Sequence, residues 1–427
     1  MLETPQFSRS YEHRAITAAA GFAGLRSRRI PSLREVSLIW WVSASVETGL
    51  FGEIGIDNFH WMVHFQRMLK PIETMKEIEI GAADALKGVL AQVPTIAVKR
   101  IEHEVKGPNF EIDILARLDV GGRHHELVCE VKANGQPRHV RMALLRLRDA
   151  VARHYPDATP VFIAPYLSPE AQSLCRADNV GFLDLEGNCR LVFDGVFIER
   201  LVSTRPPTER RTLGAIFKPK SAQVLRVMLR EPQRHWRVTE LAETAGVSLG
   251  HVSNIRVALL DREWASADPE GVLLTKPDAL LDAWRDAYEP PAGKRLGFYT
   301  TLHGSAFDEA ARRALRIANE RGAAMLASFS AGQWLAPYAR TATHFLYADE
   351  VGLGALQHEL KLSPALKGEN VVITRLNDPG LFRDRVEPAP GMICTSLVQT
   401  YLDLAAAGER GREAADHLRQ EKLTWPR

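Results

Sequence analysis

Three side chains in one short stretch could do chemistry together. Asp113, Glu130 and Lys132 lie in NFEIDILARLDVGGRHHELVCEVKANGQPRHVR, residues 109–141. Ile112, Ile114 and Ala116 alternate with Glu111, Asp113, Leu115 and Arg117, the period of a strand. Gly121-Gly122 predicts a tight turn. Leu127 to Lys132 predicts a second strand with Glu130 and Lys132 on one face. A hairpin closed at the glycines brings Asp113 near Glu130. Two carboxylates can hold Mg²⁺ through oxygen and leave water positions open. Such an ion generates hydroxide and stabilises charge developing on a phosphate. A lysine beside it can position or activate the attacking water. A bare E-x-K is more often solvated charge on an exposed strand, so the elements around it decide its weight.

Those elements begin at Pro71. Met75, Ile78, Ala82, Ala85, Leu86 and Val89 form one helical stripe that ends before Pro94. Strands are expected over 95–105, 109–120 and 124–133. A helix over 137–155 starts at Pro137, with Val140, Leu144, Leu147 and Val151 inward. A buried strand over 159–167 and a helix capped by Ser168 follow. Strands over 180–185 and 189–200 close the unit around Gly187-Asn188. The order helix, three strands, helix, strand, helix, strand, with D…E-x-K across the hairpin, resembles the PD-(D/E)XK nuclease superfamily over residues 72–201. Ile112 stands where that pattern usually has proline. The resemblance implies a restriction-endonuclease-like domain over 71–204. In a working nuclease Asp113, Glu130 and Lys132 would be catalytic, with Mg²⁺ on Asp113 and Glu130. It also implies an acidic residue from the first helix, for which Glu77, Glu79 and Asp84 are candidates. Gln136 could join the motif or serve as a cap or turn contact.

Residues 205–217 read as a Pro-containing basic linker. Nine Lys/Arg stand against Glu209 and Glu231 between Arg205 and Arg237, a local balance of 9 − 2 = +7. Then come a short helix over 221–229, a second one capped by Thr239, a sharp turn at Gly246 and a third helix capped by Ser248. Val252, Ile255 and Leu259 should pack inward. A polar hairpin runs from Trp264 to Thr275. The pattern L-A-x-x-A-G-V-S-x-x-x-V-S resembles a winged helix-turn-helix, assigned to residues 218–289. That resemblance places the third helix in a DNA major groove. The candidate DNA-binding residues are Ser248, His251, Ser253, Asn254 and Arg256, with Lys220, Arg234 and Arg237 on phosphates. His251 reads equally as a capping or surface residue.

Pro290-Pro291-Ala292-Gly293 leads into a C-terminal α/β region, 290–427. Helices are expected over 306–321, 330–336, 396–407 and 409–420, and strands over 323–328, 343–347 and 370–375. Asp349, Glu350 and Asp403 read as surface charge. Three stretches, SAGQWLAPY, HFLYAD and VQTYLDLAAAGERGREAADHL, resemble the C-terminal half of AbiEi-type antitoxins, regulators of type IV toxin–antitoxin (abortive phage infection) systems. That family implies a winged helix on its own promoter and a toxin partner encoded nearby. Its better-known members begin with the winged helix, so the nuclease-like part is a departure.

With 427 residues, the chain exceeds a single core, and a multidomain α/β protein is expected. The net charge of +2 names no partner. Four cysteines without a C-x-x-C pair argue against a zinc finger or a disulfide framework and fit a cytoplasmic protein. No apolar run approaches a membrane span. Residues 1–70 hold no sustained period. They read either as a poorly ordered extension or as sequence preceding a true start at Met62, Met68 or Met75. Three functions are consistent with these features. One is a DNA-binding transcriptional regulator of antitoxin type, and a second is a Mg²⁺-dependent DNA endonuclease. The third is a protein-interaction scaffold in a phage-defence operon.

Overall fold

The structure, a computed structural model, describes residues 74–107, 111–203, 205–338 and 341–425. The readings made for residues 1–70 lie outside them. The described chain is mixed α/β, with two seven-stranded sheets and a two-stranded one.

The first sheet follows sequence order from β1 (Ile96–Lys106), β2 (Glu111–Val120) and β3 (Arg123–Val131) through β4 (Thr159–Ala164) and β5 (Gly181–Asp184) to β6 (Cys189–Phe193) and β7 (Val196–Arg200). β3, β4 and β5 are parallel; every other pair is antiparallel. Helix α1 (Met75–Leu90) covers one face, where Ile78, Leu86 and Leu90 meet Ile114, Ala116 and Ile163. Helices α2 (Pro137–His154) and α3 (Pro169–Ala177) cover the other, against Leu115, Val128, Phe162 and Phe182. Coverage of both faces explains why the central strands are apolar at consecutive positions and not only at alternate ones. Gly121 and Gly122 take φ of 58° and 88° in the β2–β3 turn. The stretch 189–200, read as one strand, is a hairpin. Asp194 and Gly195 adopt φ of 43° and 80°, the two successive positive values of a tight hairpin turn that Asp-Gly favours.

The expected linker at 205–217 is instead helix α4 (Pro207–Ile216), which buries Leu213 and Ile216. Pro207 occupies its first turn, where a missing N–H costs nothing. Then come α5 (Pro219–Arg230), α6 (Val238–Ala245) and α7 (Leu249–Asp261), the hairpin β8 (Ala265–Ala267) and β9 (Val272–Leu274), and α8 (Pro277–Asp286). Trp236 pairs with Val272 as a third, one-residue strand. Gly246 ends α6 in the left-handed region at φ 67°, ψ 39°. Arg237 occupies the N-cap position of α6 in place of Thr239.

The second sheet runs in the order β13 (Ser363–Pro364), β10 (Gly293–Tyr299), β14 (Val371–Leu376), β12 (His344–Ala348), β11 (Ala324–Leu326), β16 (Met392–Thr395), β15 (Arg385–Ala389). Helices α9 (Gly304–Arg321) and α11 (Glu350–Glu359) pack on it. Asp349 caps α11 by accepting from the Gly352 N–H. Helices α10 (Ser328–Leu335), α12 (Leu397–Ala405) and α13 (Glu409–Lys422) complete the chain. Val398, Tyr401, Leu402, Ala415 and Leu418 of α12 and α13 share one apolar core with Leu225, Leu241, Ile255 and Leu281. A charged tie reinforces it: Arg226 of α5 donates to Gln399 Oε1 at 3.1 Å and lies 3.5 Å from Asp384.

Asp403 is not surface charge. It is buried, and its Oδ1 accepts from Tyr288 at 2.5 Å, Tyr347 at 2.9 Å and Gln399 at 2.9 Å. The correction has a simple reason: its two tyrosine partners come from positions 115 and 56 residues away. Burial raises the Asp403 carboxyl to about 6, against the opposing effect of these donors. The fold therefore favours the protonated form, and this group stabilises most at pH below its ordinary 3.8. That contribution declines as pH rises through 6, by up to about 3 kcal/mol. Asp403→Asn should thus gain on the parent in unfolding free energy as pH rises from about 4 to 7. Urea unfolding at several pH values measures this, and a constant difference would contradict it.

Candidate active site and nucleic-acid interface

Asp113 sits where the β2–β3 ladder stops. The last paired residues are Ile114 and Cys129. Beyond them the Val131 N–H has no strand partner, and the Asp113 carboxylate accepts it at 2.7 Å. This fixes Asp113 against the strand that carries Glu130 and Lys132. The Lys132 ammonium lies 2.5 Å from Glu130 Oε1 and 3.6 Å from Asp113 Oδ2. It also donates to the Val131 carbonyl at 3.2 Å. Three oxygens thus surround one cationic position, as the hairpin reading predicts for the side chains. The backbone oxygen is invisible to side-chain reasoning. Burial raises the Glu130 carboxyl above its ordinary range, although Lys132 opposes this. Burial alone would lower the Lys132 ammonium; its contacts with Glu130 and Asp113 prevail and raise it.

The structure separates the three acidic candidates on α1. Glu77 closes a capping box with Thr74, and Asp84 is exposed. Glu79 is half-buried, and its carboxyl is raised by burial and by the negative charge of Asp113, while Lys132 pulls it down. It is therefore the α1 carboxylate that senses the site. Gln136 turns away: its side-chain amide donates to Glu209 of α4 at 3.2 Å. Among the described residues no cluster of three or more His, Cys, Asp or Glu has metal-holding geometry. The oxygens of Asp113, Glu130 and Val131 are another matter, since one cation, the ammonium, already lies within 3.6 Å of all three. Their oxygen-only character suits a hard divalent ion.

The second group of predicted residues lies on α7 and beside it. Gly250, Ser253, Asn254 and Val257 are exposed and spaced i, i+3, i+4, i+7, one helical face. Val252, Ile255 and Leu259 bury the opposite face, as their spacing predicts. Ser248 caps the helix by accepting the His251 N–H at 3.4 Å. The His251 ring meets the Ser221 hydroxyl at 3.1 Å and is half-buried, which matches its reading as a local structural residue. Lys220 and Arg237 are exposed. Arg256 is half-buried and lines a small pocket together with Leu241 and Val238. Arg234 is committed elsewhere: it pairs with Glu231 at 2.8 Å and with Glu240, and lies over the Trp236 ring. Arg226 and Arg230 also pair internally. The local balance of +7 therefore overstates the free positive charge.

The two groups are mechanically joined. Arg141 of α2 grips Glu263, just past α7, through two hydrogen bonds of 2.8 and 2.9 Å. His139 lies 3.3 Å from Asp261. Glu209 accepts from both Gln136 and Arg262, at 3.2 and 2.8 Å. Paired, bidentate geometry makes such contacts directional as well as attractive. The C-terminal end of α7 is thus anchored to the helix that follows Lys132, and its N-terminal end stays open.

The family described as "Transcriptional regulator, AbiEi antitoxin, Type IV TA system" matches residues 273–424. No curated protein matches the chain. Among solved structures, the chain is similar to a repair endonuclease from Pyrococcus abyssi. The two share 15% identity over 24% of this chain and 46% of that one, with a TM-score of 0.19. It is also similar to an EndoMS–dsDNA2 complex, with 17% identity over 24% and 45% of the two chains and a TM-score of 0.18. This chain spans less than half the length of those two structures.

Asp113 has a structural duty besides any chemistry. Asp113→Ala leaves the Val131 N–H unsatisfied in a half-buried place and should cost about 1–3 kcal/mol of stability. Asp113→Asn keeps an acceptor and should cost under about 1 kcal/mol. Chemical denaturation of both variants checks this, and equal losses would contradict it.

Proposed function

We infer that the chain is a DNA-binding transcriptional regulator of AbiEi antitoxin type, reading promoter DNA through a winged helix-turn-helix. One observation carries the reading: the exposed Gly250–Ser253–Asn254–Val257 face on the open end of α7. Small and polar side chains there let the helix approach a groove closely. Asn254 can bind adenine through two hydrogen bonds, and Val257 can meet a thymine methyl. The order α5, Trp236 strand, α6, α7, β8–β9 supports a winged helix, with the hairpin as the wing. Lys220, in the first turn of α5, and Arg237, at the start of α6, are exposed and would hold phosphates. The family match over residues 273–424 supports the regulatory role and implies a toxin protein as partner.

The test is fluorescence anisotropy on duplex from upstream of the chain's own coding region. Affinity should fall steeply with salt. Asn254→Ala should weaken binding by about 1–3 kcal/mol and relax sequence preference. Lys220→Ala should weaken binding to all duplexes alike and reduce the salt slope by about 0.9. Binding that ignores salt and both substitutions, Asn254→Ala and Lys220→Ala, would refute the reading.

A second reading, a metal-dependent DNA endonuclease, is favoured by the three oxygens around the Lys132 ammonium. Asp113, Glu130 and the Val131 carbonyl would hold Mg²⁺, which supplies charge stabilisation at a phosphate and an acidified water. Glu79 would accept a proton or orient a water on the α1 side. Lys132 would then orient the attacking water or a phosphate oxygen. The winged helix would deliver duplex to this sheet end through the α2–α7 anchor. Supercoiled plasmid incubated with Mg²⁺ or Mn²⁺ provides the test. The parent should nick or linearise it, and Asp113→Asn and Lys132→Ala should each lose at least about 100-fold in rate. Equal cleavage by parent and variants, or none by the parent, would exclude this reading.

A further inference from the structure

A cavity of about 890 Å³ lies where α4, the start of α5, the segment after α8 and the segment 376–381 meet. Neither proposed function uses it. Its walls are largely apolar: Phe217, Trp284, Pro291, Leu376 and Leu381 line it. The Phe217 and Trp284 rings are stacked nearly parallel, 5.6 Å apart and 7° from coplanar. Three cations stand at its exposed edge, Arg210, Arg211 and Lys218. Arg210 and Lys218 form no ion pair among the described residues, and Arg211 donates only to the Pro207 carbonyl within its own helix.

One further feature favours an anion. Lys218 is the N-cap residue of α5, a 12-residue helix whose N-terminus has no side-chain cap. Such an end carries partial positive charge and unpaired N–H groups. Deeper in, Arg226 is 4% exposed and lines the cavity. Its charge is already committed inside the fold, to Asp384 at 3.5 Å and to Gln399 at 3.1 Å, so the free positive charge is that of the three edge cations. The wall also carries two carboxylates, Glu289 and Asp378, the second accepting the Gly380 N–H; against three edge cations the balance is 3 − 2 = +1.

A pocket of this size, mostly apolar with a few polar groups at one end, has the make-up of a small-molecule site. We propose that it binds a small planar aromatic anion, a flat ring bearing phosphate or carboxylate. The ring lies along the Phe217 and proline walls. The anionic group is held by Arg210, Arg211, Lys218 and the α5 N-terminus. Because α5 also packs on α6 and α7, the ligand sits one helix away from the proposed DNA face.

Isothermal titration calorimetry of the full chain without DNA tests this, so the outcome is independent of the promoter reading. Four probes separate the chemistry: AMP, salicylate, adenosine and inorganic phosphate. AMP or salicylate should bind with Kd below about 1 mM, while adenosine and phosphate bind at least about tenfold more weakly. An Arg211→Glu, Lys218→Glu double variant should lose at least about tenfold in affinity. Gly214→Trp offers a second, charge-neutral variant. Gly214 lines the cavity, and a Cβ there meets nothing within 4 Å, so the indole should enter the mouth and block binding without disturbing the core. Failure of both AMP and salicylate to bind would overturn the proposal. So would equal binding of phosphate alone, or full affinity in both variants.

Discussion

One apolar core governs the middle and end of this chain. The helices α5 to α8 do not close a core of their own. Tyr401 and Leu402 of α12, with Leu418 of α13, complete it, after the chain has passed through a whole second sheet. Burial of this kind contributes roughly 25 cal/mol per Å² of apolar surface removed from water. Breaking the core in two would expose Leu225, Leu241, Ile255 and Leu281 together. Helices α5 to α8 and the C-terminal region are therefore one mechanical body. Close approach shows the fit at one point: a Cβ on Gly380 would fall 1.7 Å from the Gln223 amide, so any larger residue at this point of the 379–383 turn would have to displace that buried side chain of α5.

Charge then does what apolar packing alone does not, and sets direction. Arg141–Glu263 and the Gln136–Glu209–Arg262 set anchor α2 to the far end of α7. Arg141–Glu263 is partly solvated and adds little stability, while Arg262–Glu209 is largely buried. Their effect is geometric. They leave the first turns of α7 free and set the Asp113–Glu130–Lys132 cluster a few residues from the anchor. In the regulator reading the sheet is an added DNA platform. In the nuclease reading it is the part that acts. Both readings need the same anchor.

The sequence is informative wherever the chemistry is local. Ser248 as a cap, Gly246 in the left-handed region and the inward set Val252, Ile255, Leu259 follow from neighbours a few residues away. The convergence of Asp113 with Glu130 and Lys132 follows from strand period and one Gly-Gly turn. What escapes reading is long-range. Asp403 reads as surface because its tyrosine partners are remote in sequence. The shared core escapes because an amphipathic stripe states that a face is buried and not against what. Arg234 reads as a phosphate contact because its pairing with Glu240 needs the turn at Trp236 to be known. Two misses were local: Asp194-Gly195 is a strong hairpin signal, and Pro207 suits a helix start. A basic, proline-containing composition at 205–217 concealed the second.

The central claim is that duplex DNA docks on the open end of α7 while the rest of the fused body holds it in place. Hydrogen–deuterium exchange on the full chain, with and without duplex from upstream of its coding region, tests that most directly. The account predicts slowed exchange across 248–257 and in the 267–272 hairpin tip, with α12 and α13 protected equally in both states. Protection absent from 248–257, or confined to surfaces remote from α7, would contradict it.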